Sequence, residues 1–314
     1  MKRLTINTSP HIASAMDTRF MMKGVIKALI PAVIASLYFF RIQALGVILV
    51  SIAGCVITEY LFQKGQGREI RVGDYSAVVT GLLLAMILPP AIPLWMAFLG
   101  GAFAIAMGKE IFGGLGNNIF NPALLARAFL MAAFPIALTT WTAPVTLEAM
   151  TTATPLGLAK FNHVFPSSVP MFMGNIGGSI GETSAAALFI GFIYLLWKKI
   201  IDYRIPVAYA ITLVGFSWIT YAISPETFYP PIFCLFAGGF FIGAIFMATD
   251  PVTTPVTKKG RWVFGIGCGL ITMTIRLWGG LPEGVMYSIL FMNAFTPLIN
   301  RVTRPRRYGV QRGK

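Results

Sequence analysis

The stretch Gly24-Val25-Ile26-Lys27-Ala28-Leu29-Ile30-Pro31-Ala32-Val33-Ile34-Ala35-Ser36-Leu37-Tyr38-Phe39-Phe40-Arg41 decides the fold. Apart from Lys27 it is apolar to its end, close to the roughly 20 residues a helix needs to cross a bilayer. A second apolar run, 42–62, follows directly. A membrane β-barrel would show short alternating strands; these runs are continuous. In lipid each crossing segment must satisfy its own backbone groups, so both read as helices. No small-residue cleavage pattern accompanies the first run, which is therefore expected to be an uncleaved insertion signal rather than a removable leader.

Working outward, the same signature recurs. The chain has 314 residues, 56% hydrophobic and 11% charged, against about 25% charged in soluble domains. The expected fold is all-α and polytopic, one integral membrane domain over 1–314. Ten spans are read: 24–41, 42–62, 76–91, 92–109, 121–140, 183–198, 205–222, 230–248, 261–278 and 282–299. Only a proline-rich turn, Pro89-Pro90 then Pro93, divides the third from the fourth.

The basic residues orient these spans. Lys2, Arg3, Arg19, Lys23 and Lys27 precede or open the first; Lys64, Arg68 and Arg71 follow the second, and Lys109 the fourth. Lys198, Lys199 and Arg204 follow the sixth, Lys258, Lys259 and Arg261 the eighth, and Arg301, Arg304, Arg306, Arg307, Arg312 and Lys314 the last. The opposite connections hold Arg41 and Lys160. With ten spans every basic connection falls on one side, which the positive-inside rule makes cytoplasmic. This expects a cytoplasmic arm (1–23), a basic cytoplasmic tail (300–314) and an outer-face segment at 141–182, in a cytoplasmic (inner) membrane. The net charge of +14 is then an orientation signal and does not call for nucleic acid.

Phe98-Leu99-Gly100-Gly101-Ala102-Phe103 resembles Phe236-Ala237-Gly238-Gly239-Phe240-Phe241, each downstream of a proline pair. Two five-helix repeats, as in many transport folds, would produce this; so would two close-packing surfaces. Cys55, Cys234 and Cys268 lie far apart in apolar runs and read as small buried hydrophobes. His11 and His163 have no partner at ligand spacing, so no metal is expected.

Three polar stretches interrupt the apolar pattern. In Thr151-Thr152-Ala153-Thr154-Pro155-Leu156, Pro155 disfavours helix at Thr154 and Ala153 adds no bulk beside its hydroxyl. Taken alone, this is also what an ordinary threonine-rich loop looks like. Gly113-Gly114-Leu115-Gly116-Asn117-Asn118-Ile119-Phe120-Asn121-Pro122-Ala123 predicts a helix with Asn121 as N-cap and Pro122 in its first turn. Gly174-Asn175-Ile176-Gly177-Gly178-Ser179-Ile180-Gly181-Glu182-Thr183-Ser184 leads into the sixth span. Either glycine-rich stretch suits cofactor oxygens at a helix N-terminus, or is a capped helix entry. Arg127 and Arg276 lie inside spans, and Glu59, Lys109, Glu110, Asp250 and Glu283 near span ends; such residues are functional candidates in a membrane. Arg127 is read as holding a flavin or a neighbouring subunit, or as a structural pair. Asp250 is read as capping a turn. There is no Walker loop and no Rossmann fingerprint, so ATP is not expected and a NAD site belongs to another chain.

Together these segments resemble the RnfD subunits of Rnf complexes, with the NqrB subunits of sodium-pumping NADH:quinone oxidoreductases as near cousins. The resemblance runs nearly end to end. It includes Ser9-Pro10-His11-Ile12, Val79-Thr80-Gly81-Leu82-Leu83-Leu84-Ala85 with Leu88-Pro89-Pro90, both glycine-rich stretches, and Ala248-Thr249-Asp250-Pro251-Val252-Thr253-Thr254-Pro255. The Ser-Pro-His start and compact length favour RnfD. The resemblance implies a subunit of an ion-translocating ferredoxin:NAD oxidoreductase, not active alone, moving Na+ or H+. It also implies flavin mononucleotide (FMN) joined to Thr154 by a flavin transferase. Glu148, Thr151 and Thr152 match the rest of the attachment pattern, with glutamate for the usual aspartate and Thr152 where glycine is common. A second, non-covalent flavin is implied without residues to place it. Asn121 and Arg127 are candidates for the flavin environment. The partners expected are the other Rnf subunits and membrane lipid. Two alternatives stay open: an NqrB-like subunit of a quinone-reducing pump, and a non-redox channel or solute carrier of similar architecture.

Overall fold

The computed structural model describes residues 17–142, 144, 154–162, 165–166, 168–174, 176–182, 184–225 and 228–305. All regular structure among them is helical. Helix α1, Thr18–Gly65, covers the first two expected spans. A straight helix of its 48 residues would be about 72 Å long, more than twice the roughly 30 Å hydrocarbon core. It is not straight: Arg41, at φ 50° and ψ −129°, leaves the helical region and splits it in two. The break falls at the boundary expected from the sequence.

The remaining helices are α2 (Ser76–Met86), α3 (Leu94–Ile105), α4 (Pro122–Ala133), α5 (Pro135–Thr139), α6 (Pro155–Asn162), α7 (Ser168–Met173), α8 (Ala185–Trp197), α9 (Arg204–Ile223), α10 (Pro231–Phe236), α11 (Phe240–Ile242), α12 (Lys258–Trp278) and α13 (Val285–Thr303). Each of the ten expected spans contains helix, but three are shorter or more divided than expected. The third stops at Met86, and the proline-rich turn begins three residues later. The fifth stops at Ala133, because Pro135 has no N–H to continue it. The eighth is α10, a break at Ala237-Gly238-Gly239, then α11 and a π-helical turn, Gly243–Met247. The 141–182 segment is more than a connecting loop, since it carries α6 and α7.

Local chemistry explains the helix starts. Asn121 Oδ1 accepts from the N–H groups of Ala123 (3.1 Å) and Leu124 (3.3 Å), with Pro122 in the first turn, as the sequence predicts. Ser184 Oγ caps α8 through Ala187 N–H, and Thr257 Oγ1 caps α12 through Gly260 N–H. The two Gly-Gly pairs have different roles. Gly101 lies in unbroken helix, where a Cβ would stand 2.7 Å from Ser51 O; Gly54 opposite would stand 2.6 Å from Phe98 O. Only glycine lets α1 and α3 approach this closely. Gly238, at φ +70°, instead turns the chain where the eighth span breaks. Both pairs nevertheless lead into a five-residue π-helical turn, Ala106–Glu110 and Gly243–Met247.

Polarity is arranged for lipid. Tyr38, Ile42, Ile193, Trp218, Ile223 and Val302 face outward, whereas Glu59, Lys109, Glu110, Arg127 and Arg276 are buried. In water, exposed apolar faces over a charged interior would be costly; in a bilayer the apolar face is the solvated one. Helices α1 and α9 are each long and apolar enough to cross. The three cysteines are buried, as small hydrophobes should be.

Candidate functional site

Helix α6 carries the expected attachment residue at its start. Thr154 Oγ1 accepts from Gly157 N–H at 3.1 Å and Thr154 O accepts from Leu158 N–H at 2.9 Å, so Thr154 is the N-cap. It is 6% exposed. The N–H groups and dipole of a helix N-terminus favour a neighbouring anion. At the other end of α6, Lys160 Nζ donates to the carbonyls of Ile275, Gly279 and Leu281, taking up the free end of α12. Burial lowers the Lys160 pKa. Between these ends Leu156 fills the space beside Gly238, where a Cβ would meet Leu156 Cδ1 at 2.6 Å. Helix α6 is thereby seated on the break in the eighth span.

A second centre lies behind that break. Arg276 is fully buried and donates to Cys234 O (2.7 Å) and Ala237 O (2.9 Å), carbonyls released where α10 ends. Arg127 Nη2 pairs with Glu283 Oε2 at 2.6 Å. The pairing is the structural alternative weighed for Arg127, and it joins α4 to the turn before α13. Asn121, besides capping α4, donates from Nδ2 to Met247 O at 3.3 Å, fastening α4 to the π-helical turn. Thr154 hydrogen-bonds to α6 itself, and neither Asn121 nor Arg127 is its hydrogen-bond partner. Glu148, Thr151 and Thr152 lie outside the described residues, as do His11, His163, Asn175, Thr183, the Ser-Pro-His start and the tail from Arg306.

A third centre joins α1 and the π-helical end of the fourth span. Lys109 Nζ donates to Glu59 Oε1 and Ser76 Oγ, both at 2.6 Å, and Gln63 Nε2 donates to Glu59 Oε1 at 3.0 Å. Lys109 also borders a partly open pocket whose walls include Thr80, Asn118, Asn121, Phe246 and Asp250. Asn118 Oδ1 is buried there without a hydrogen-bond partner. Asp250 is a turn residue, as expected: its carboxylate accepts from Val252 N–H and the Thr253 hydroxyl. Burial outweighs those bonds and raises its pKa to about 6.

The sequence missed the pairings. Glu59–Lys109 and Arg127–Glu283 join residues 50 and 156 positions apart, and no periodicity announces either. Glu182, buried near Arg127 and Glu283, appeared only as one letter of a glycine-rich stretch; an acid beside membrane-entry glycines was the available signal.

Known proteins give a consistent result. Residues 5–309 match the family described as NQR2, RnfD, RnfE. The chain is 46% identical to the D subunit of the Na(+)-translocating ferredoxin:NAD(+) oxidoreductase complex of Acetobacterium woodii, covering 99% of this chain and 97% of that one. It is 44% identical to the D subunit of the proton-translocating ferredoxin:NAD(+) oxidoreductase complex of Clostridium ljungdahlii, over 98% and 97% of the two chains. The D subunit of the ion-translocating oxidoreductase complex of Stutzerimonas stutzeri is 38% identical over 95% and 93%. With an apolar exterior, an ionised interior and a match over nearly its whole length, this chain belongs to the NQR2, RnfD, RnfE family of membrane subunits.

Proposed function

We propose that this chain is the D subunit of a membrane complex that couples ferredoxin:NAD oxidoreduction to ion translocation, and that it passes electrons through FMN esterified to Thr154. Support for the first part is likeness to the Acetobacterium and Clostridium D subunits over 97% of the length of each. The observation that carries the second is Thr154 at the N-cap of α6, the end of that helix suited to an anionic phosphate. Covalent flavin supplies redox chemistry, and the protein supplies position and insulation. Thr154 Oγ1 would bear the ester, Gly157 N–H would face the phosphate, and Lys160 would hold α6 against α12. Because Thr154 is 6% exposed, the flavin transferase would act before this segment packs.

The pocket walled by Thr80, Asn118 and Phe246 is our seat for the second, non-covalent flavin, whose ring would enter only as those walls part. It offers one unpartnered acceptor, Asn118 Oδ1, to a ring N–H, and apolar walls from Leu83 and Phe246. Both termini and the basic connections face the cytoplasm, and α6 the outer side. The relatives named for sodium and for protons differ by two percentage points in identity, 46% against 44%, so overall likeness does not choose the ion.

The test is in-gel flavin fluorescence of the denatured chain, co-expressed with a flavin transferase. Wild type should fluoresce and Thr154→Ala should not. Fluorescence that survives the substitution moves the attachment elsewhere, and a dark wild type with an active transferase ends the covalent reading. Flavin released from wild type on denaturation and depleted in Asn118→Ala would support the second seat; equal release from both would reject it.

A further inference from the structure

Two interrupted membrane helices meet at the turn that carries Glu182. The third span ends at Met86, and the turn takes its last carbonyls: Gly181 N–H donates to Met86 O at 2.6 Å and Ile180 N–H to Leu88 O at 3.0 Å. The eighth span breaks at Ala237–Gly239. A Cβ at Gly239 would stand 3.0 Å from Glu182 Oε1, and one at Gly178 would stand 3.0 Å from Oε2. The carboxylate is therefore wedged between a glycine of its own turn and the start of α11. It is 9% exposed, and Oε1 has no hydrogen-bond partner. Broken membrane helices are where transport folds expose backbone dipoles to ions, and an ionisable side chain at such a point is a functional candidate.

The neighbouring ion pair does not include Glu182. The charged groups acting on Glu182 are Glu283 and Arg127, and its own turn adds the polar Ser179. Arg127 already pairs with Glu283. Arg276, arriving from α12, directs its guanidinium at Cys234 O and Ala237 O. Neither the end of α2 nor residues 240–247 bring a charged side chain. Glu182 is thus left without an ion pair of its own among the described residues, and an unpaired charge is costly away from water. A narrow crevice lined by Arg127, Glu283, Gly239 and Arg276 adjoins the site.

We propose that Glu182 binds the translocated monovalent cation, a sodium ion or a proton, at the meeting point of the two broken helices. Either ion does the same thing: it neutralises the carboxylate that Arg127 leaves uncompensated. The inference rests on the ion-translocating reading but not on the flavin at Thr154.

The experiment uses the whole complex containing this chain, reconstituted in liposomes and driven by reduced ferredoxin, with Glu182→Gln and Glu182→Asp. Glu182→Gln keeps the shape and loses the charge. It should keep Thr154-linked fluorescence and ferredoxin-dependent flavin reduction, yet lose ion uptake, while Glu182→Asp retains part of it. Dicyclohexylcarbodiimide labelling of Glu182 in the wild-type complex, mapped by mass spectrometry, separates the ions. Protection by sodium assigns sodium; labelling that falls as pH rises and ignores sodium assigns the proton. Wild-type uptake by Glu182→Gln, with unchanged sodium and pH dependence, overturns the proposal. If Glu182→Gln does not assemble, labelling decides, and no labelling at low sodium and low pH overturns it. A non-fluorescent wild type that still pumps would sink the flavin reading and leave this one standing.

Discussion

Asp202 shows what one charged residue does at the edge of this fold. Its carboxylate accepts from Arg204 Nη1 and Arg261 Nη1, both at 2.6 Å, and from Arg204 N–H at 2.9 Å. Burial pushes its pKa up, but these bonds outweigh burial and hold it below the ordinary carboxylate value. A carboxylate depressed in the folded state stabilises the fold above its unfolded pKa, about 3.9. That contribution is lost as pH falls through the lower folded value. Asp202→Asn should therefore lower thermal stability at neutral pH by about 1–3 kcal/mol, the worth of hydrogen bonds to a charged group. The difference from wild type should vanish in strong acid. Thermal unfolding in detergent across pH measures it, and a pH-independent difference would mean that the charge is not the cause. Arg276 is the interior counterpart. Arg276→Met would fill the volume but orphan Cys234 O and Ala237 O, at about 1–3 kcal/mol for each buried acceptor. The expected result is a poorly recovered chain that Arg276→Lys partly rescues, and full recovery of Arg276→Met would show that the carbonyls find other donors.

At the scale of elements, the Phe-X-Gly-Gly stretches look alike in sequence and differ in use, so the same substitution should have two outcomes. Gly101→Ala places a methyl against the backbone oxygen of Ser51, which cannot move without separating α1 from α3. Gly238→Ala meets the end of the flexible Leu156 side chain and the Arg276 guanidinium, and its main cost is the φ of +70°, about 1–2 kcal/mol. Gly101→Ala should be the more damaging of the two in thermal unfolding of the purified chain. Gly238→Ala should act on the start of α6, where we propose the flavin is attached, since Leu156 sits two residues from Thr154. The reverse ranking would mean that the Gly-Gly pair in α3 is not a packing surface. What the sequence could reveal here followed the range of the interaction. The Asn121-Pro122 start of α4 was legible because a cap is settled within four residues. The turn at Arg41 was legible because a bilayer limits helix length. The break at 237–239 was not, since residues 230–248 stay apolar throughout and hydropathy does not register a missing turn of helix. Nor was the Arg127–Glu283 pair, whose partners meet only after α4 and α13 pack.

For the whole molecule, charge sets the expected orientation in the bilayer. Lys199, Arg204, Lys258 and Arg261 follow the sixth and eighth spans on one side, while the segment bearing α6 supplies Lys160 to the other. That lysine donates to the carbonyls at the end of α12, where a cation is favoured by the helix C-terminus, so its position has a local cause. Moving α6 to the cytoplasm would drag the whole basic set outward against the membrane potential, about 2.3 kcal/mol per charge for each 100 mV. The arrangement predicts that Phe161→Cys, at a position 66% exposed on α6, reacts in intact cells with a membrane-impermeant maleimide, whereas Lys199→Cys reacts only after the cells are opened. Cys55, Cys234 and Cys268 are buried, so the native thiols should give a low background, and replacing them with alanine would remove it. Labelling of Lys199→Cys from outside, with Phe161→Cys protected, would invert the topology and put the proposed flavin-attachment helix on the same side as ferredoxin. Electrons would then have no need to cross the membrane to reach Thr154, and coupling their passage to ion movement would require a different geometry from the one argued here.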